Sequence, residues 1–456
     1  MLLRPTSVLL LVLFVQQAFC LKFLFYNPRS TRSHIHFVNK LIGVLVDGGH
    51  EVVSLNPEIS KDFGDAHDSK KARVIPWIPP FEPKTSVDNL DQNEWEMGTS
   101  ITEMLGQLDT IFRHFGRACD HQLADEKLME QLRNEKFDLG LSEFFDPCGF
   151  GIFKKIGLNK TVAMLTTSAT PLFIGTMGIP GCASFVPDMG LPLMPPLGFL
   201  DRVKVQLTIL IGRQLTGRLM LSHLQDAFDA HRLDLNVMDV LGDASLVFVN
   251  NDELIDFPQP VSHKMISIAG VGLRKSLEHP KKLEKELQAF IDQSKKGFVY
   301  ISFGSVANSY RMPPQTRSVH SKYEKPEDGT IEKLPNLLLS PWFPQVDIFA
   351  QPKLLAFVSH GAMFSGVPVV SIPLFTDQPR NSLVMQFRGT GITVSKANIT
   401  EESLSEAIRK IVFDPSYKQK AVRLANLVKN KPMSADERVL KYSETSPTCW
   451  TSPAAT

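Results

Sequence analysis

Residues 21–55 read LKFLFYNPRSTRSHIHFVNKLIGVLVDGGHEVVSL and have the order strand, helix, strand. The run that ends at Tyr26 is mostly apolar, and Glu51–Leu55 contains the β-branched residues that strands favour. Between them lies a segment with apolar residues at helical spacing, which Gly48-Gly49 ends. This pattern predicts a βαβ unit of a parallel sheet, with the polar loop 27–33 at the strand end where such sheets bind ligands.

The same alternation continues along the 456 residues of the chain. Apolar strands are predicted at 137–143, 161–166 and 245–250 in the first half, and at 298–303, 354–359 and 367–375 in the second. Glycine and polar residues follow several of these strands directly. We therefore predict an α/β protein with two Rossmann-like, doubly wound domains that face a cleft.

The composition excludes several classes of protein. The 49 Lys and Arg residues nearly cancel the 48 Asp and Glu, so the concentrated basic surface of a nucleic-acid-binding protein is not expected. With 43% hydrophobic residues the chain is not of the disordered type, and five cysteines are too few for a disulfide scaffold. No Asp-x-Asp pair occurs, so we expect no site for a metal–diphosphate complex and no metal ligands.

Residues 1–20 have the features of a secretory signal peptide. Arg4 supplies the positive charge, residues 8–15 are apolar, and Ala18 and Cys20 offer small side chains before a cleavage site. We therefore expect the protein in the lumen of the endoplasmic reticulum or outside the cell. In that location Asn159 and Asn398, each in an Asn-x-Thr triplet, become candidate glycosylation sites.

Four cysteines remain after the signal, and they allow three pairings. We favour Cys119 with Cys148, because both flank the strand predicted at 137–143. At the other end of the chain, residues 444–456 are polar and show no helical period, so we expect them to form a disordered tail.

Residues 203–238 have strong helical character. Val203, Leu207, Leu210 and Ile211 share one helical face. We favour a helix of the protein core, because Lys and Arg are not concentrated opposite that face. The alternative is a helix that lies in a membrane interface.

Two turns in the second half have the character of phosphate sites. Gly304-Ser305 and His360-Gly361 both follow predicted strands, where backbone N–H groups at a strand-to-helix turn bind anions. Trp342 and Gln345 stand in the segment Trp342-Phe-Pro-Gln345. The indole offers a flat face for a nucleobase and the amide can pair with its edge, although a tryptophan here could equally cap the core.

The segment from Trp342 to Gly361, followed by Gly366-Val-Pro-Val-Val-Ser-Ile-Pro-Leu-Phe-Thr-Asp-Gln-Pro-Arg-Asn381, resembles the signature of UDP-glycosyltransferases. It is most similar to the animal UDP-glucuronosyltransferase branch, and its motif sequence resembles that of nematode members. The resemblance runs from Lys22 to about Tyr442. It implies the GT-B fold, with an acceptor-binding domain at 21–272 and a UDP-sugar-binding domain at 273–443.

The resemblance also implies a donor site. Trp342 would stack on uracil, and Gln345 would hydrogen-bond to it. Ser305 and His360-Gly361 would hold the diphosphate, with Gly304 in the same turn. Asp377 and Gln378 would bind hydroxyl groups of the sugar. The donor would be UDP-glucuronate or UDP-glucose, as a co-substrate, and no cofactor is expected.

In the first domain, His34 stands where the family has its catalytic histidine. A neutral imidazole can take a proton from an acceptor hydroxyl as that hydroxyl attacks the sugar. The family pairs this histidine with an aspartate at a strand end, and here Glu143 occupies the corresponding position. Asp146 is the rival candidate for that role, and Asp138 is expected to start the strand.

The chain departs from the family pattern in three places. The offset from His360 to the glycine of Gly366-Val-Pro is 6, against 13 in the pattern, so seven residues that include phosphate and ribose ligands are missing. Because a parallel crossover needs about a dozen residues, the usual strand connection is expected to be difficult here. Residues 310–321 are too few for the further helix and strand that the family has at this place. The third departure is at the C-terminal end, where we do not expect the membrane span of the family.

These departures predict an incomplete second domain and suggest a spliced or mispredicted gene product. Two functions follow. The first is a glycosyltransferase that moves a sugar, with inversion, onto a hydroxyl of a small lipophilic acceptor. The second is a catalytically inactive family member that binds lipophiles or acts as a partner of intact relatives. Homo- or hetero-oligomers with related transferases fit both.

Overall fold

The computed structural model describes residues 20–64, 68–83, 95, 101–189, 191–215, 217, 221–304, 336–340, 342–359, 365–374 and 376–449. Residues 1–19 of the predicted signal peptide and residues 310–321 lie outside these ranges. The described residues form two parallel sheets with helices around them. The α/β class and the two Rossmann-like domains are therefore confirmed.

The first sheet has seven strands and begins with the βαβ unit predicted at residues 21–55. Its strands are β1 Lys22–Tyr26, β2 Glu51–Pro57, β3 Arg73–Trp77, β4 Leu139–Glu143, β5 Thr161–Leu165, β6 Leu246–Val249 and β7 Met265–Ser267. They lie in the order β3-β2-β1-β4-β5-β6-β7, and each neighbouring pair is parallel. The order changes direction between β1 and β4, and a crevice at such a point is where open α/β sheets bind ligands.

Helices cover both faces of this sheet. The described helices of this domain are α1 Arg32–Asp47, α2 Ile101–Ala124, α3 Glu126–Asn134, α4 Cys148–Ile156, α5 Pro171–Ile174, α6 Phe199–Leu215, α7 Ser222–Ala230 and α8 Val240–Asp243. The apolar side of α1 packs on one face, beneath Phe23 and Phe25. On the other face α2, α4 and α7 bury Phe112, Phe153 and Phe228. The strands are buried on both faces, and for this reason they read as continuous apolar runs.

The second sheet has four described strands: β8 Phe298–Ile301, β9 Leu354–Ser359, β10 Val369–Ser371 and β11 Gly391–Thr393. They lie in the order β11-β10-β9-β8, again with parallel neighbours. The accompanying helices are α9 Arg274–Glu278, α10 Lys285–Gln293, α11 Gln345–Phe349, α12 Gln378–Arg388, α13 Glu401–Phe413, α14 Pro415–Lys429 and α15 Ala435–Cys449. Apolar clusters on both faces of this sheet form a separate core.

Strands β9 and β10 pair although the connection between them is short. The expectation that this short connection makes their parallel pairing difficult is therefore wrong. Val369 lies opposite Phe357 and Ser371 opposite Ser359, in parallel register. The chain leaving Ser359 therefore has to return by only two residues along the neighbouring strand. Residues 360–364, in the connection itself, lie outside the described residues.

The last helix, α15, returns to the first domain. Its residue Val439 is fully buried in the apolar cluster of α1, and Glu444 reaches His50 at 3.3 Å. The prediction of a disordered tail at 444–456 is therefore wrong for residues 444–449, which continue α15, and residues 450–456 lie outside the described residues. Packing against α1 explains the difference, because Ser443 and Ser446 are buried although the local sequence is polar.

The segment at 203–238 differs from the continuous core helix that we favoured. Helices α6 and α7 occupy part of it, and a non-helical stretch follows Ala230. The face of Val203, Leu207, Leu210 and Ile211 is exposed, because α6 packs through a different edge that buries Val205 and Ile209. Within the described ranges, no helix has both the length and the apolar character that a bilayer crossing requires.

The disulfide predicted between Cys119 and Cys148 is present. It joins α2 to the first residue of α4, with the two Cα atoms 5.5 Å apart. Cys20 and Cys182 are free thiols. The bond holds α2 beside the strand end of β4, where the candidate site begins.

Candidate functional site

His34 and Glu143 meet at the carboxyl edge of the first sheet. The loop after β1 is held to the neighbouring strand, since Asn27 N–H donates to the Leu55 carbonyl at 2.9 Å. This places His34 in the first turn of α1, while Glu143 is the last residue of β4. His34 Nδ1 lies 2.8 Å from Glu143 Oε2, and β1 pairs directly with β4. Two residues separated by 109 positions are thus brought together as the resemblance implied.

Thr166 completes this group and was not among the site residues predicted from the sequence. Its hydroxyl donates to Glu143 Oε1 at 2.8 Å and lies 3.4 Å from His34 Nδ1. Thr166 directly follows β5, which pairs with β4. The available signal was a polar residue at the end of a predicted apolar strand, next to the strand that ends in Glu143.

An aromatic cluster lies beside the histidine. The ring of Phe145 is 5.0 Å from the imidazole, measured between centroids. Phe145 also contacts Phe112 and Phe115 of α2 in edge-on geometry. The imidazole therefore has a carboxylate on one side and apolar rings on another. An apolar surrounding strengthens the interaction between a protonated imidazole and a carboxylate.

Asp146, the rival of Glu143, belongs to a different hydrogen-bond group. It is buried, accepts from the Tyr26 hydroxyl at 3.2 Å and accepts from Cys148 N–H at 3.2 Å. Burial raises the pKa of Asp146 to about 7, and the charge of Glu143 acts in the same direction. Asp138 lies just before β4, where it accepts from Lys22 N–H at 2.8 Å. Of the three acids, Glu143 is the one that contacts the histidine.

Such a pair can act as a general base. A carboxylate on Nδ1 favours the tautomer with its proton on Nδ1, which leaves the lone pair on Nε2. When Nε2 takes a proton, the negative charge of Glu143 stabilises the imidazolium. The hydroxyl of Thr166 fixes the other oxygen of the carboxylate, so the carboxylate cannot rotate freely.

Trp342 is exposed, which does not agree with a tryptophan that caps the core. Its side chain is 67% exposed, and Ser340 holds the backbone around it by accepting from Trp342 N–H at 3.3 Å. Gln345 begins α11 three residues later and is partly buried. An exposed indole beside a glutamine is a surface on which a nucleobase could stack.

The two phosphate turns are described only in part. Gly304 follows β8 with φ of +72°, a conformation that glycine adopts without strain. Ser305, His360 and Gly361 lie outside the described residues, so their predicted role in holding the diphosphate stays a prediction.

Asp377 and Gln378 lie at the start of α12. Asp377 precedes the helix and accepts from Asn381 Nδ2 at 2.8 Å, while Gln378 Oε1 accepts from Leu374 N–H at 2.8 Å. Gln378 is buried, and Thr376 before it has φ of +53°. The two side chains therefore hold the turn between β10 and α12.

Both predicted glycosylation sites are accessible. Asn159 is exposed in the loop between α4 and β5, and Asn398 is exposed just before α13. Their modification stays a prediction. In the described part of the chain, no group of three His, Cys, Asp or Glu side chains is arranged to hold a metal ion.

Known proteins share sequence similarity with most of this chain. The family model described as "UDP-glucoronosyl and UDP-glucosyl transferase" matches residues 26–442. The putative UDP-glucuronosyltransferase ugt-48 of Caenorhabditis elegans is 27% identical over an alignment of 462 positions with gaps, which covers 92% of this chain and 85% of that protein. Human UDP-glucuronosyltransferase 3A2 is 28% identical, with 90% and 81% covered. Human 2-hydroxyacylsphingosine 1-beta-galactosyltransferase is 27% identical, with 90% and 77% covered.

Solved structures share the architecture at low sequence identity. The kitacinnamycin glycotransferase has a TM-score of 0.62 at 16% identity, covering 93% of this chain and 98% of that one. Glycosyltransferase VinC, solved in complex with DTDP, has a TM-score of 0.60 at 16% identity, with 93% and 99% covered. At this identity the likeness concerns the fold alone, which is the GT-B arrangement of two Rossmann-like domains.

Proposed function

The chain belongs to the UDP-glucuronosyl and UDP-glucosyl transferase family, and from this premise we propose that it moves a sugar from a UDP-sugar to an acceptor hydroxyl group. The transfer inverts the anomeric centre, and His34 is the general base. The observation that supports this proposal is the 2.8 Å contact between His34 Nδ1 and Glu143 Oε2 at the carboxyl edge of the sheet.

In the proposed reaction, His34 Nε2 takes the proton of the acceptor hydroxyl. The oxygen then attacks the anomeric carbon from the side opposite the diphosphate. The bond between that carbon and the phosphate oxygen breaks, and UDP leaves with the electron pair. Glu143 stabilises the imidazolium that results, and Thr166 keeps the carboxylate in place. General base catalysis of this kind contributes about 10²- to 10⁴-fold to the rate.

The donor is proposed to bind at the second domain. The exposed ring of Trp342 supports stacking of uracil, with Gln345 at the edge of the base. Asp377 and Gln378 would meet the sugar hydroxyls at the start of α12. The relatives carry names of glucuronosyl- and galactosyltransferases. UDP-glucuronate and UDP-glucose are the donors to test first.

The acceptor is proposed to be a small lipophilic molecule with a hydroxyl group. Phe145, Phe112 and Phe115 lie beside His34 and would favour an apolar acceptor over a charged one. The disulfide between Cys119 and Cys148 supports an oxidising location, such as the lumen of the endoplasmic reticulum or the extracellular space.

Titration calorimetry with UDP, followed by a transfer assay, tests the proposal. We expect UDP to bind, and His34→Ala to abolish transfer while leaving the affinity for UDP nearly unchanged. Loss of both would contradict the division of roles between the two domains. No binding of UDP at millimolar concentration would favour the second candidate, an inactive member of the family that binds lipophiles or related transferases. That candidate rests on the seven residues missing between His360 and Gly366.

A further inference from the structure

A short turn of the first domain receives cationic side chains from the second. We name residues 251–256, Asn251-Asp-Glu-Leu-Ile-Asp256, the acidic turn; it follows β6. Arg380 of α12 reaches Asp256, and Lys431, between α14 and α15, reaches Asp252 and Glu253. Arg438 of α15 contributes another ion pair, with Glu253 at 2.6 Å. Four ion pairs thus join the second domain to this one turn of the first.

Asp256 is held in place by its own domain. Its Oδ1 accepts from Phe257 N–H at 2.7 Å, and its Oδ2 lies 3.4 Å from Asn251 Nδ2. Asn251 is fixed in turn by the Ser267 hydroxyl, which donates to its Oδ1 at 2.8 Å. The carboxylate is therefore a fixed reference point of the first domain.

Arg380 contacts the Asp256 carboxylate and is itself fully buried. Its side chain is 0% exposed, Nη2 donates to Asp256 Oδ1 at 2.7 Å, and Nε donates to the Pro187 carbonyl at 3.1 Å. Its Nη1 is buried without a hydrogen-bond partner among the described residues. A buried ion pair with an unsatisfied donor contributes little net stability, because desolvation offsets the attraction. What such a pair can supply is a defined geometry.

The position of Arg380 in α12 indicates which residues the ion pair holds in place. It lies two residues after Gln378 and three after Asp377, so less than one helical turn separates it from the proposed sugar-binding side chains. Arg388, at the far end of α12, donates to the Ile255 and Asp256 carbonyls at 2.6 Å. Lys431 and Arg438 contact the same acidic turn from elements that carry no proposed donor ligand.

We propose that Arg380 is a positioning residue: its pair with Asp256 fixes the start of α12, and with it Asp377 and Gln378, against the domain that carries His34. This inference rests on the proposed function for its catalytic consequence. A displacement of about 1 Å between reacting groups can cost about 10²-fold in rate. The pair therefore contributes more to the rate of sugar transfer than to the net stability of the protein.

The first test measures hydrogen–deuterium exchange of the full chain, without any ligand. Arg380→Met keeps an unbranched apolar side chain and removes the guanidinium, and Lys431→Met is the matched control on the same acidic turn. We expect faster exchange in peptides that cover residues 376–389 for Arg380→Met, and wild-type exchange there for Lys431→Met. Unchanged exchange in Arg380→Met would overturn the inference whether or not the chain is an active transferase.

The second test is kinetic, at a temperature well below the unfolding midpoint of each variant. Arg380→Met should lower kcat/KM for the UDP-sugar by about 10- to 100-fold, with the Kd for UDP within about twofold of wild type. Lys431→Met should leave both values near wild type, and Arg380→Lys should recover part of the loss. Wild-type kinetics in Arg380→Met would overturn the inference. If the wild-type chain transfers no sugar, the proposed function is wrong. The positioning role of Arg380 is then tested by the exchange experiment alone.

Discussion

Glu143 is one methylene longer than the aspartate that the family usually has at its position, and its carboxylate still meets His34 Nδ1 at 2.8 Å. Glu143→Gln separates charge from geometry. The amide oxygen can still accept from Nδ1–H, and the Thr166 hydroxyl can turn to accept from the amide nitrogen. The negative charge that stabilises the imidazolium is lost. We expect kcat to fall by about 10² or more, with the Kd for UDP unchanged.

Initial-rate kinetics with a UDP-sugar and UDP titration of the same preparation check this prediction. Glu143→Asp, which restores the usual residue of the family, is the matched control and should keep most of the activity. A Glu143→Gln variant with wild-type kcat would show that the charge has no role.

Asp146 makes a separate prediction about stability and pH. Its folded pKa of about 7 lies above the unfolded value of about 3.9, so the folded protein holds this proton more tightly. The resulting stabilisation is complete below about pH 4 and is lost as the pH rises through about 7. Over this range the loss is on the order of 4 kcal/mol, because each pH unit corresponds to about 1.4 kcal/mol.

Asp146→Asn removes this titration and keeps a buried polar group beside Tyr26. We expect the free energy of unfolding to fall less from pH 5 to pH 8 in the variant than in the wild type. Urea denaturation at the two pH values measures it. Asp138→Asn, at an exposed position, is the control and should keep the wild-type slope. An equal slope in Asp146→Asn would contradict burial as the cause.

At the scale of elements, helices α2 and α7 approach each other closely at one glycine. A Cβ added at Gly116 would lie 2.5 Å from the His223 carbonyl oxygen and 2.8 Å from its carbonyl carbon. Backbone atoms cannot move aside as a flexible side chain can, so α7 would have to shift. Gly116→Ala should therefore destabilise the protein by about 1–3 kcal/mol, although alanine is the better helix former.

The same helix offers a matched control at Gly106, where a Cβ would meet nothing within 4 Å. Gly106→Ala should stabilise by about 0.5–1 kcal/mol through helix propensity alone. Chemical denaturation of both variants compares the two effects directly. A neutral or stabilising Gly116→Ala would show that α2 and α7 can separate without cost.

The elements of the core were predictable from the sequence, and the exceptions have identifiable causes. Strands such as Thr161–Leu165 and Leu354–Ser359 were found because strands buried on both faces read as apolar runs. The exposed face of α6 was not predicted, since periodicity reveals an apolar face but not whether another element covers it. Nor was the end of α15, where helix formation at 444–449 depends on packing against α1 and not on local sequence.

The candidate site was predictable where a family motif or a strand end marked it. His34 and Glu143 were identified in this way, and the structure brings them together. Thr166 was missed because a polar residue at a strand end is a weak signal until the order of the strands is known. The same holds for Arg380 and Asp256, which lie 124 positions apart and meet only when the two domains are assembled.

At the scale of the whole molecule, the ion pairs of the acidic turn make the contact between the domains sensitive to acid. Burial alone would raise the pKa of Glu253, but hydrogen bonds from Arg438 and Lys431 lower it to about 2. A carboxyl group with a lowered folded pKa stabilises the protein above its unfolded value of about 4.3, and this contribution disappears as the pH falls towards 2. Lowering the pH therefore reduces the stabilisation from Glu253, whereas it increases the stabilisation from Asp146.

Glu253→Gln tests this contribution. The Glu253 side chain is 44% exposed, so solvent screening reduces the effect to about 1 kcal/mol at pH 6. We expect the difference in unfolding free energy between wild type and Glu253→Gln to shrink towards zero as the pH is lowered from 6 to 2.5. Asp201→Asn, which breaks an exposed pair with Lys204 inside α6, is the control and should change stability by less than about 0.5 kcal/mol at either pH. A Glu253→Gln difference that stays constant over this range would mean that Arg438 and Lys431 bind the amide as well as the carboxylate, and that the charge of the acidic turn does not hold the domains together.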